Sequence, residues 1–280
     1  MKSSKTNVWF ITGASSGFGK AFAEYAISQG YHVVVTARRT DKLEEIKAIA
    51  PAQVEAVKMD VNNDSNVSAA VNQAIARFGS IDVLINNAGY GILGAVEETP
   101  EDELRAQLET NFFGAVKVTR ALLPHFREQR SGAIVNISSM GGQMSFAGFG
   151  AYSASKFALE GLSEALASEL KPFGIKVLIV EPGSFRTDLM GSAMKKMPAM
   201  EAYSDTVGGT RAFADNSHHT QEGDPLKAAC AIDTALKSEH TPLRLVLGSD
   251  ALQAIKAHAE NLIGELNTWE QVTIDTKIDQ

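Results

Sequence analysis

A tyrosine and a lysine, Tyr152 and Lys156, stand four residues apart in a stretch with the apolar spacing of a helix. Residues four apart share one face of a helix, so a phenol and an ammonium group would be neighbours. A nearby cation favours the phenolate and lowers a phenol pKa that starts near ~10. Such a phenol can give a proton to a developing alkoxide or take one from an alcohol. By itself the pair is a weak signal, because this spacing is common by chance.

Two serines, Ser138 and Ser139, end an apolar run shortly before this pair, and Ser139 lies thirteen residues before Tyr152. The carboxyl ends of strands are where open α/β sheets bind their ligands. A hydroxyl at this point could therefore hydrogen-bond the oxygen of a substrate.

A glycine-rich loop follows the first apolar run, with the sequence Thr12-Gly13-Ala14-Ser15-Ser16-Gly17-Phe18-Gly19. It comes after a predicted strand and opens a predicted helix, which is the context that gives a glycine triplet meaning. Glycines let the backbone approach a pyrophosphate, and the free N–H groups of the helix N-terminus stabilise its charge. The loop predicts a dinucleotide site rather than a bare turn.

The end of the second apolar run indicates which dinucleotide. An acidic residue there would accept from the ribose 2′-OH of NAD, whereas an arginine suits the 2′-phosphate of NADP. The chain has Ala37, Arg38 and Arg39 at this point. We therefore expect NADP(H), with NAD(H) possible and a merely solvated pair of arginines as the plainer interpretation.

The elements that must position these residues are short apolar runs alternating with longer helical segments. The runs cover 8–12, 31–37, 54–59, 81–85, 133–137 and 175–180, with a last strand at 243–247. They are almost continuously apolar, as expected of a parallel sheet covered on both faces. We predict an α/β fold with a doubly wound sheet. Residues 1–280 would form one domain, with 184–225 inserted as a small substrate cap.

With these motifs the chain resembles the classical short-chain dehydrogenase/reductases over at least residues 7–190. The matching motifs are the glycine loop, Asp60 in Met59-Asp60-Val61, Asn86-Asn87-Ala88-Gly89, Asn111, Ser139, Tyr152, Lys156, Pro182-Gly183 and Thr187. The chain is also similar to a bacterial subgroup near the hydroxysteroid and retinol dehydrogenases. That subgroup is functionally heterogeneous and names no substrate.

The resemblance implies a single-domain Rossmann fold with a seven-stranded sheet and a role for each matching residue. Tyr152 would be the general acid in reduction and the base in oxidation, and Lys156 would lower its pKa and bind the nicotinamide ribose. Ser139 would hold the carbonyl oxygen, and Asn111 would hold a water that links Lys156 to solvent. The cofactor contacts would be Thr12, Gly13, Ser15, Ser16, Gly17, Phe18, Gly19, Arg38, Asp60, Val61, Asn87, Ala88, Gly89, Tyr152, Lys156, Pro182, Gly183 and Thr187.

The substrate pocket would lie between the loop after Ser139 and the cap. We expect Met144 and Phe149 from the first segment, and Met190 and Met194 from the second, to contact the substrate. Methionines 190, 194, 197 and 200 have the spacing of one helix face, which is as typical of a core as of a pocket. Methionine adapts to varied apolar ligands. Since no cluster of cations accompanies these residues, the expected substrate is an apolar or aromatic ketone, aldehyde or secondary alcohol.

Composition and charge limit the partners and the cellular compartment that the sequence predicts. Apolar residues make up 44% of the 280, and the net charge of −7 disfavours nucleic-acid binding and docking on anionic membranes. The single cysteine, Cys230, fits a reducing compartment, and the N-terminus has no signal-peptide pattern. We therefore expect a cytoplasmic protein without a membrane span. The pair His218-His219 has no zinc-ligand spacing, so no metal is expected.

Other functions remain open at this stage. The chain could be an NAD-preferring alcohol dehydrogenase that works in the oxidative direction, which the affinities for the two reduced cofactors would decide. It could also be a non-catalytic NADP sensor, although such proteins tend to lose the tyrosine or lysine that this chain keeps. A sugar-nucleotide epimerase is disfavoured because the segment after Gly183 is too short for a second domain. The resemblance further implies a dimer or tetramer formed through the helices that carry Asn111 and Tyr152.

Overall fold

Apolar runs form the strands of a parallel sheet in the computed structural model, which describes residues 6–217 and 220–278. The histidine pair and the N-terminal five residues discussed above lie outside these ranges. The strands are β1 Val8–Thr12, β2 His32–Ala37, β3 Val54–Lys58, β4 Val83–Asn86, β5 Gly91–Leu93, β6 Gly132–Ile137, β7 Ile175–Pro182, β8 Met194–Lys196 and β9 Arg244–Leu247. Each predicted run corresponds to one strand, with ends that shift by one or two residues.

Seven of these strands form one sheet within the described ranges, in the order β3-β2-β1-β4-β6-β7-β9. All neighbouring pairs are parallel. The chain works outward from β1 to β3 on one side and then returns to the centre to begin β4. The carboxyl ends of β1 and β4 therefore diverge into opposite connections, which leaves a crevice between them. The predicted doubly wound fold is confirmed.

Helices cover both faces of this sheet. The α-helices of the described ranges are α1 Gly17–Ser28, α2 Thr40–Ile49, α3 Asp64–Phe78, α4 Glu101–Leu108, α5 Gly114–Gln129, α6 Gly150–Leu170, α7 Ser204–Asn216, α8 Pro225–Lys237 and α9 Ser249–Ile274, although not all of them lie on the sheet. One apolar core packs Trp9 and Phe22 with residues of α8, and the other packs Phe10 and Phe126 with residues of α3 and α6. A strand with apolar side chains on both sides supplies both cores at once, which explains the unbroken apolar runs.

The segment 184–225 departs from the pattern that its methionines suggest. Met190 ends a short 3₁₀ turn, Met194 begins β8, and Met197 and Met200 lie in an extended stretch, so a single helix face is the wrong interpretation. Strand β8 pairs in parallel with β5 instead, with Met194 opposite Gly91. A Cβ at Gly91 would lie 2.6 Å from Met194 Cε, so the Met194 side chain packs directly over this glycine. Helix α7 is the one α-helix in the described part of this segment.

The described residues contain neither a membrane-spanning helix nor a metal-binding cluster. No helix there is long and apolar enough to cross a membrane. No group of three or more His, Cys, Asp and Glu side chains is arranged there to hold a metal ion.

Candidate active site

A cleft of about 1290 Å³ opens at the carboxyl edge of the sheet. Its walls come from the glycine loop, the ends of β2, β4, β6 and β7, the first turns of α6, and the segment after Pro182. Most of the residues predicted to contact a cofactor line it. These are Gly13, Ser15, Ser16, Gly17, Phe18, Arg38, Asp60, Val61, Asn87, Ala88, Gly89, Tyr152, Lys156, Pro182, Gly183 and Thr187. The remaining two, Thr12 and Gly19, lie behind the wall.

The glycine loop lies directly against the segment after β4. Gly13 has a φ of 66°, and a Cβ there would lie 2.7 Å from Ala88 Cα. A Cβ on Gly19 would lie 2.6 Å from Asn87 Nδ2. Both positions therefore exclude side chains, Gly13 also because its backbone is left-handed. The close approach leaves the N-terminus of α1 facing the cleft.

Thr12 and Asn87 hold the loop in this position. The Thr12 hydroxyl accepts from the backbone N–H groups of Asn87 and Ala88 at 2.9 and 3.0 Å. In return, Asn87 Nδ2 donates to the carbonyl oxygens of Thr12 and Gly13 at 2.9 and 3.1 Å. Thr12 is buried, so it positions the binding loop from behind instead of facing a ligand.

Two exposed arginines stand at one end of the cleft. Strand β2 ends at Ala37, and Arg38 and Arg39 follow it into the cleft wall. Arg39 Nη2 donates to Ser15 Oγ of the glycine loop at 3.1 Å. The Arg39 guanidinium group therefore lies beside the glycine loop that leads into α1. No carboxylate stands at the end of β2.

Tyr152 and Lys156 lie at the other end, on one face of α6. Both line the cleft although they are only 9% and 6% exposed. Lys156 Nζ donates to the Ile137 carbonyl oxygen at 2.7 Å and lies 5.6 Å from the centre of the Tyr152 ring. The helical spacing therefore brings the two groups together as predicted.

Burial shifts the pKa values of this pair in opposite directions. Desolvation raises the pKa of Tyr152 to about 12, partly offset by a hydrogen bond with Ser139. Desolvation also lowers the pKa of Lys156 to about 8, against a small opposing effect of Glu160. The lowered phenol pKa that the sequence suggests is thus not found in the free protein. Here the loss of water outweighs the nearby ammonium group.

Ser139 caps the short 3₁₀ turn Met140–Gly142 that follows β6. Its Oγ accepts from the Gly141 backbone N–H at 3.0 Å, and it lines the cleft beside Tyr152. Accepting in that contact leaves the Ser139 hydroxyl able to donate, and its hydrogen bond with the Tyr152 phenol partly offsets the raised pKa of Tyr152. The neighbouring Ser138 is almost fully buried but also lines the cleft, so the choice of Ser139 stays a prediction.

Asn111 lies in a π-helical turn, Glu109–Phe113, between α4 and α5. Its Nδ2 donates to the Tyr90 carbonyl oxygen at 2.9 Å and to Ser155 Oγ at 3.0 Å, and its Oδ1 accepts from the Tyr90 N–H at 3.1 Å. It is 2% exposed and does not line the cleft. Asn111 therefore ties the segment after β4 to α6, and a π-turn of this kind is frequent at functional sites.

The cleft wall formed by the segment after Pro182 is held in place by the first turn of α9. Asp250, in the first turn of α9, accepts from the Ser184 backbone N–H at 2.7 Å, and Gly183 leaves room for its carboxylate. Thr187 caps the next turn by accepting from the Leu189 N–H at 3.3 Å. Asp250 is not among the predicted site residues, although an acidic residue in the first turn of a helix is a recognisable sequence signal.

The predicted substrate residues fall into two groups. Met190 and Met194 line the cleft together with Ser139, whereas Met144 and Phe149 do not. The Phe149 ring instead packs edge-on to Tyr152, with the ring centres 6.2 Å apart. Apolar lining that the sequence analysis does not name comes from Tyr90, Leu189 and Phe213.

A buried charged cluster behind the Ser139 loop is also absent from the sequence analysis. Gln143 Nε2 donates to Glu160 at 3.2 Å and to Glu181 at 2.9 Å, and Arg244 lies within 3.1 Å of both carboxylates. Burial, and then the charge of Glu160, raise the pKa of Glu181 to about 7. Two sequence signals could have indicated this cluster. Glu181 is a lone carboxylate in the apolar strand β7, and Glu160 follows Tyr152 and Lys156 at the same four-residue spacing on α6.

The cleft fits a dinucleotide. The glycine loop excludes side chains where a pyrophosphate would approach, and α1 begins there with its unpaired N–H groups. Arg38 and Arg39 stand at one end and the Tyr152–Lys156 pair at the other. The cleft lies where the strand order reverses, which is the expected position for such a ligand.

Comparisons with known proteins agree with this geometry. The sequence profile of the short chain dehydrogenase family matches residues 7–198. A short-chain dehydrogenase from Streptomyces avermitilis, 51% identical, superposes with a TM-score of 0.93 over 99% of this chain and 100% of its own. A metagenomic short-chain oxidoreductase in complex with NADP is 35% identical, with a TM-score of 0.61 over 65% of this chain and 85% of its own. The 3-ketodihydrosphingosine reductase of Bacteroides thetaiotaomicron is 51% identical over 177 residues, 63% of each chain.

The chain therefore belongs to the short-chain dehydrogenase family. It is an oxidoreductase of that family with an NAD(P)(H) cofactor, acting on small molecules.

Proposed function

We propose that this chain is an NADP(H)-dependent reductase of apolar ketones, with Tyr152 as the proton donor. The observation that carries the proposal is the burial of Tyr152 and Lys156 on one face of α6, beside Ser139 and at the end of a dinucleotide cleft. A bound nicotinamide would supply the hydride that reduces the carbonyl carbon.

The protonation state of Tyr152 suits reduction. A phenol with a pKa of about 12 keeps its proton at neutral pH and can give it to an oxygen that becomes negative. Removing that proton, as alcohol oxidation requires, is harder at the same pH. The free site thus holds the proton that reduction requires, which supports Tyr152 as the donor.

Ser139 and Lys156 have separate duties in this proposal. Ser139 Oγ can donate to the carbonyl oxygen, which stabilises the charge that develops there. The Lys156 ammonium is held by Ile137 within reach of the phenol, so that a phenolate left after proton transfer meets a positive charge. Asn111 acts from behind by fixing Tyr90 and Ser155, and the water relay implied by the resemblance remains a proposal.

The preference for NADP(H) rests on Arg38 and Arg39. Guanidinium groups match a phosphate in charge and geometry, and no carboxylate ends β2 to bind a free 2′-hydroxyl. The NADP held by the 35% identical oxidoreductase supports this choice.

The substrate end of the cleft favours an apolar ketone. Leu189, Met190, Met194 and Phe213 supply its lining from residues 184–225, which we propose as the substrate cap. The two arginines of this segment are engaged elsewhere, since Arg186 donates to the Gln221 carbonyl oxygen and Arg211 to Glu98. A long-chain ketone is a natural first probe, because one relative is a 3-ketodihydrosphingosine reductase.

The test is turnover of NADPH and NADH with a panel of aryl ketones, medium-chain ketones and long-chain 3-keto compounds. We expect reduction of at least one apolar ketone, with NADPH preferred by about tenfold or more because an arginine–phosphate contact is worth that much. Equal use of NADH would contradict the cofactor assignment. Turnover restricted to alcohols with NAD would favour the oxidative alternative, and tight NADPH binding without any turnover would favour a sensor.

A further inference from the structure

Helix α9 leaves the body of the protein after its first two turns. It runs from Ser249 to Ile274, so its 26 residues extend for about 39 Å. Asp250 and the fully buried Ala251 anchor its start, whereas every described residue from 256 to 278 is exposed. A helix of this length gains most of its stability from packing an apolar face. In the described structure that packing is absent over most of α9.

Helix α9 carries a continuous apolar stripe that begins near its anchored start and runs through its exposed part. Its members, called the α9 stripe here, are Leu252, Ile255, Ala259, Leu262, Leu266 and Trp269. Their spacing alternates between three and four residues from Leu252 to Trp269, about two and a half heptads, which is the spacing of a coiled-coil seam. Leu262 is 50% exposed, and Leu266 and Trp269 are each 62% exposed. Such a seam matches another helix with the same repeat.

The total surface is also larger than one folded chain of this size requires. A monomer of 29.9 kDa is expected to expose about 11,700 Å². The accessible surface here is 14504 Å², an excess of about 2,800 Å² over that expectation. A stable interface of standard size hides about 800 Å² on each partner, so the excess is ample.

We propose that the α9 stripe is an interface between two copies of this chain, in which the two α9 helices pair antiparallel. In that register Leu252 faces the partner's Trp269, Ile255 faces the partner's Leu266, and Ala259 faces the partner's Leu262. In each of these contacts, a residue at heptad position a of one helix meets a residue at position d of the other, as expected of an antiparallel pair.

The charges of α9 disfavour both a parallel pair and a lipid surface. The antiparallel register brings His258 next to the partner's Glu265, whereas a parallel pair would set Glu265 against the partner's Glu270. The helix as a whole is acidic, with Asp250, Glu260, Glu265 and Glu270 against Lys256. Helices that lie on membranes carry cations on their polar face, so the charge favours a second copy over a lipid surface.

The first experiment measures the mass of the full-length protein by sedimentation velocity. Leu266→Glu places a charge in the stripe, and the control Asn267→Glu adds the same charge one residue further round the helix. We expect the wild type and the control to share one oligomeric mass, and Leu266→Glu to have half of it. Unchanged NADPH binding in both variants shows that the fold is intact, since neither residue lies near the cleft. A monomeric wild type, or a Leu266→Glu protein of undiminished mass, would overturn the proposal.

Two further measurements test the antiparallel orientation of the two α9 helices and whether a second copy or a membrane covers the α9 stripe. In a Cys230→Ser background, oxidation should cross-link the Leu252→Cys/Trp269→Cys double variant, whereas Leu252→Cys alone stays uncross-linked because its copies are far apart in the antiparallel pair. Cross-linking of the single variant would contradict the orientation. Vesicles of phosphatidylcholine and phosphatidylglycerol should not carry the protein down on centrifugation. Vesicle binding that Leu266→Glu abolishes would identify a membrane as the occupant and overturn the proposal.

Discussion

The Lys156 ammonium lies 5.6 Å from the centre of the Tyr152 ring, and both side chains are buried. Burial disfavours the charged form of each, so it moves the pKa of the phenol up and that of the ammonium down. At neutral pH the phenol therefore keeps its proton while the lysine stays charged at a cost in stability. This is the state that a proton donor needs before substrate binds.

The cost of charging Lys156 predicts how stability depends on pH. With a pKa of about 8 in the folded protein and 10.5 in the unfolded chain, the unfolded state binds more protons between these values. Stability of the wild type should therefore rise with pH over this window. Relative to Lys156→Met, which cannot titrate, the wild type should gain about 2 kcal/mol between pH 7 and about 9.5. Urea unfolding of both proteins measures this gain, and a pH-independent difference would contradict the burial account.

The Glu181 carboxyl predicts the opposite dependence at lower pH. Its pKa of about 7 lies above the value of 4.5 in the unfolded chain, so the folded state holds the extra proton between them. The wild type should lose stability relative to Glu181→Gln as pH rises from about 5 to 7.5, by on the order of 2 kcal/mol. Glu164→Gln is the control, because Glu164 is an exposed partner of the same Arg244. If both variants track the wild type, the buried cluster does not hold this proton.

Replacing Arg38 tests the basis of cofactor selectivity. Arg38→Gln removes a guanidinium group that a 2′-phosphate would contact, at a cost of roughly 10- to 100-fold in NADPH affinity. NADH, which lacks that phosphate, should bind about as before. Arg127→Gln, on the exposed side of α5, should change neither affinity. The dissociation constants of both cofactors check this, and an equal loss for NADPH and NADH would assign Arg38 a general structural role.

Gly19 tests the contact between the glycine loop and the segment after β4. A Cβ at this position meets the Gly13 carbonyl oxygen at 2.4 Å and Asn87 Nδ2 at 2.6 Å, so Gly19→Ala should displace the loop. We expect a loss of roughly 1–3 kcal/mol in unfolding free energy, as for other overpacked sites, with weaker NADPH binding. Gly161→Ala is the matched control in the exposed interior of α6, where no atom obstructs a Cβ. It should stabilise the protein by roughly 0.5–1 kcal/mol, because alanine is the better helix former.

Local patterns were sufficient for the sheet, the glycine loop and the Tyr152–Lys156 pair, whereas Asp60, Asn111 and Thr187 were predicted only from the family resemblance. Unbroken apolar runs identify buried parallel strands, and the spacing of Tyr152 and Lys156 places both on one helix face. The carboxyl ends of neighbouring strands then bring Gly13, Ser139 and Pro182 to the same edge. These features depend on residues close together in the chain, which is why sequence reasoning reaches them.

Features that depend on distant partners were not predicted. Met194 lies in a strand that pairs with the distant residue Gly91, and nothing in the methionine spacing shows this. Glu160, Glu181 and Arg244 come from three elements that only the fold brings together. The direction of the Tyr152 pKa shift also depends on how deeply the helix is buried, which the sequence does not quantify.

The most direct test of the proposed function is reduction of an apolar ketone by Tyr152→Phe with NADPH. The change removes one hydroxyl from a buried ring and leaves the cleft shape intact. We expect turnover to fall by roughly 10²- to 10⁴-fold, the usual contribution of a positioned acid, with NADPH affinity within about twofold of the wild type. Tyr203→Phe, outside the cleft on the cap, should retain full turnover. Retained turnover in Tyr152→Phe would contradict the assignment of Tyr152 as the proton donor.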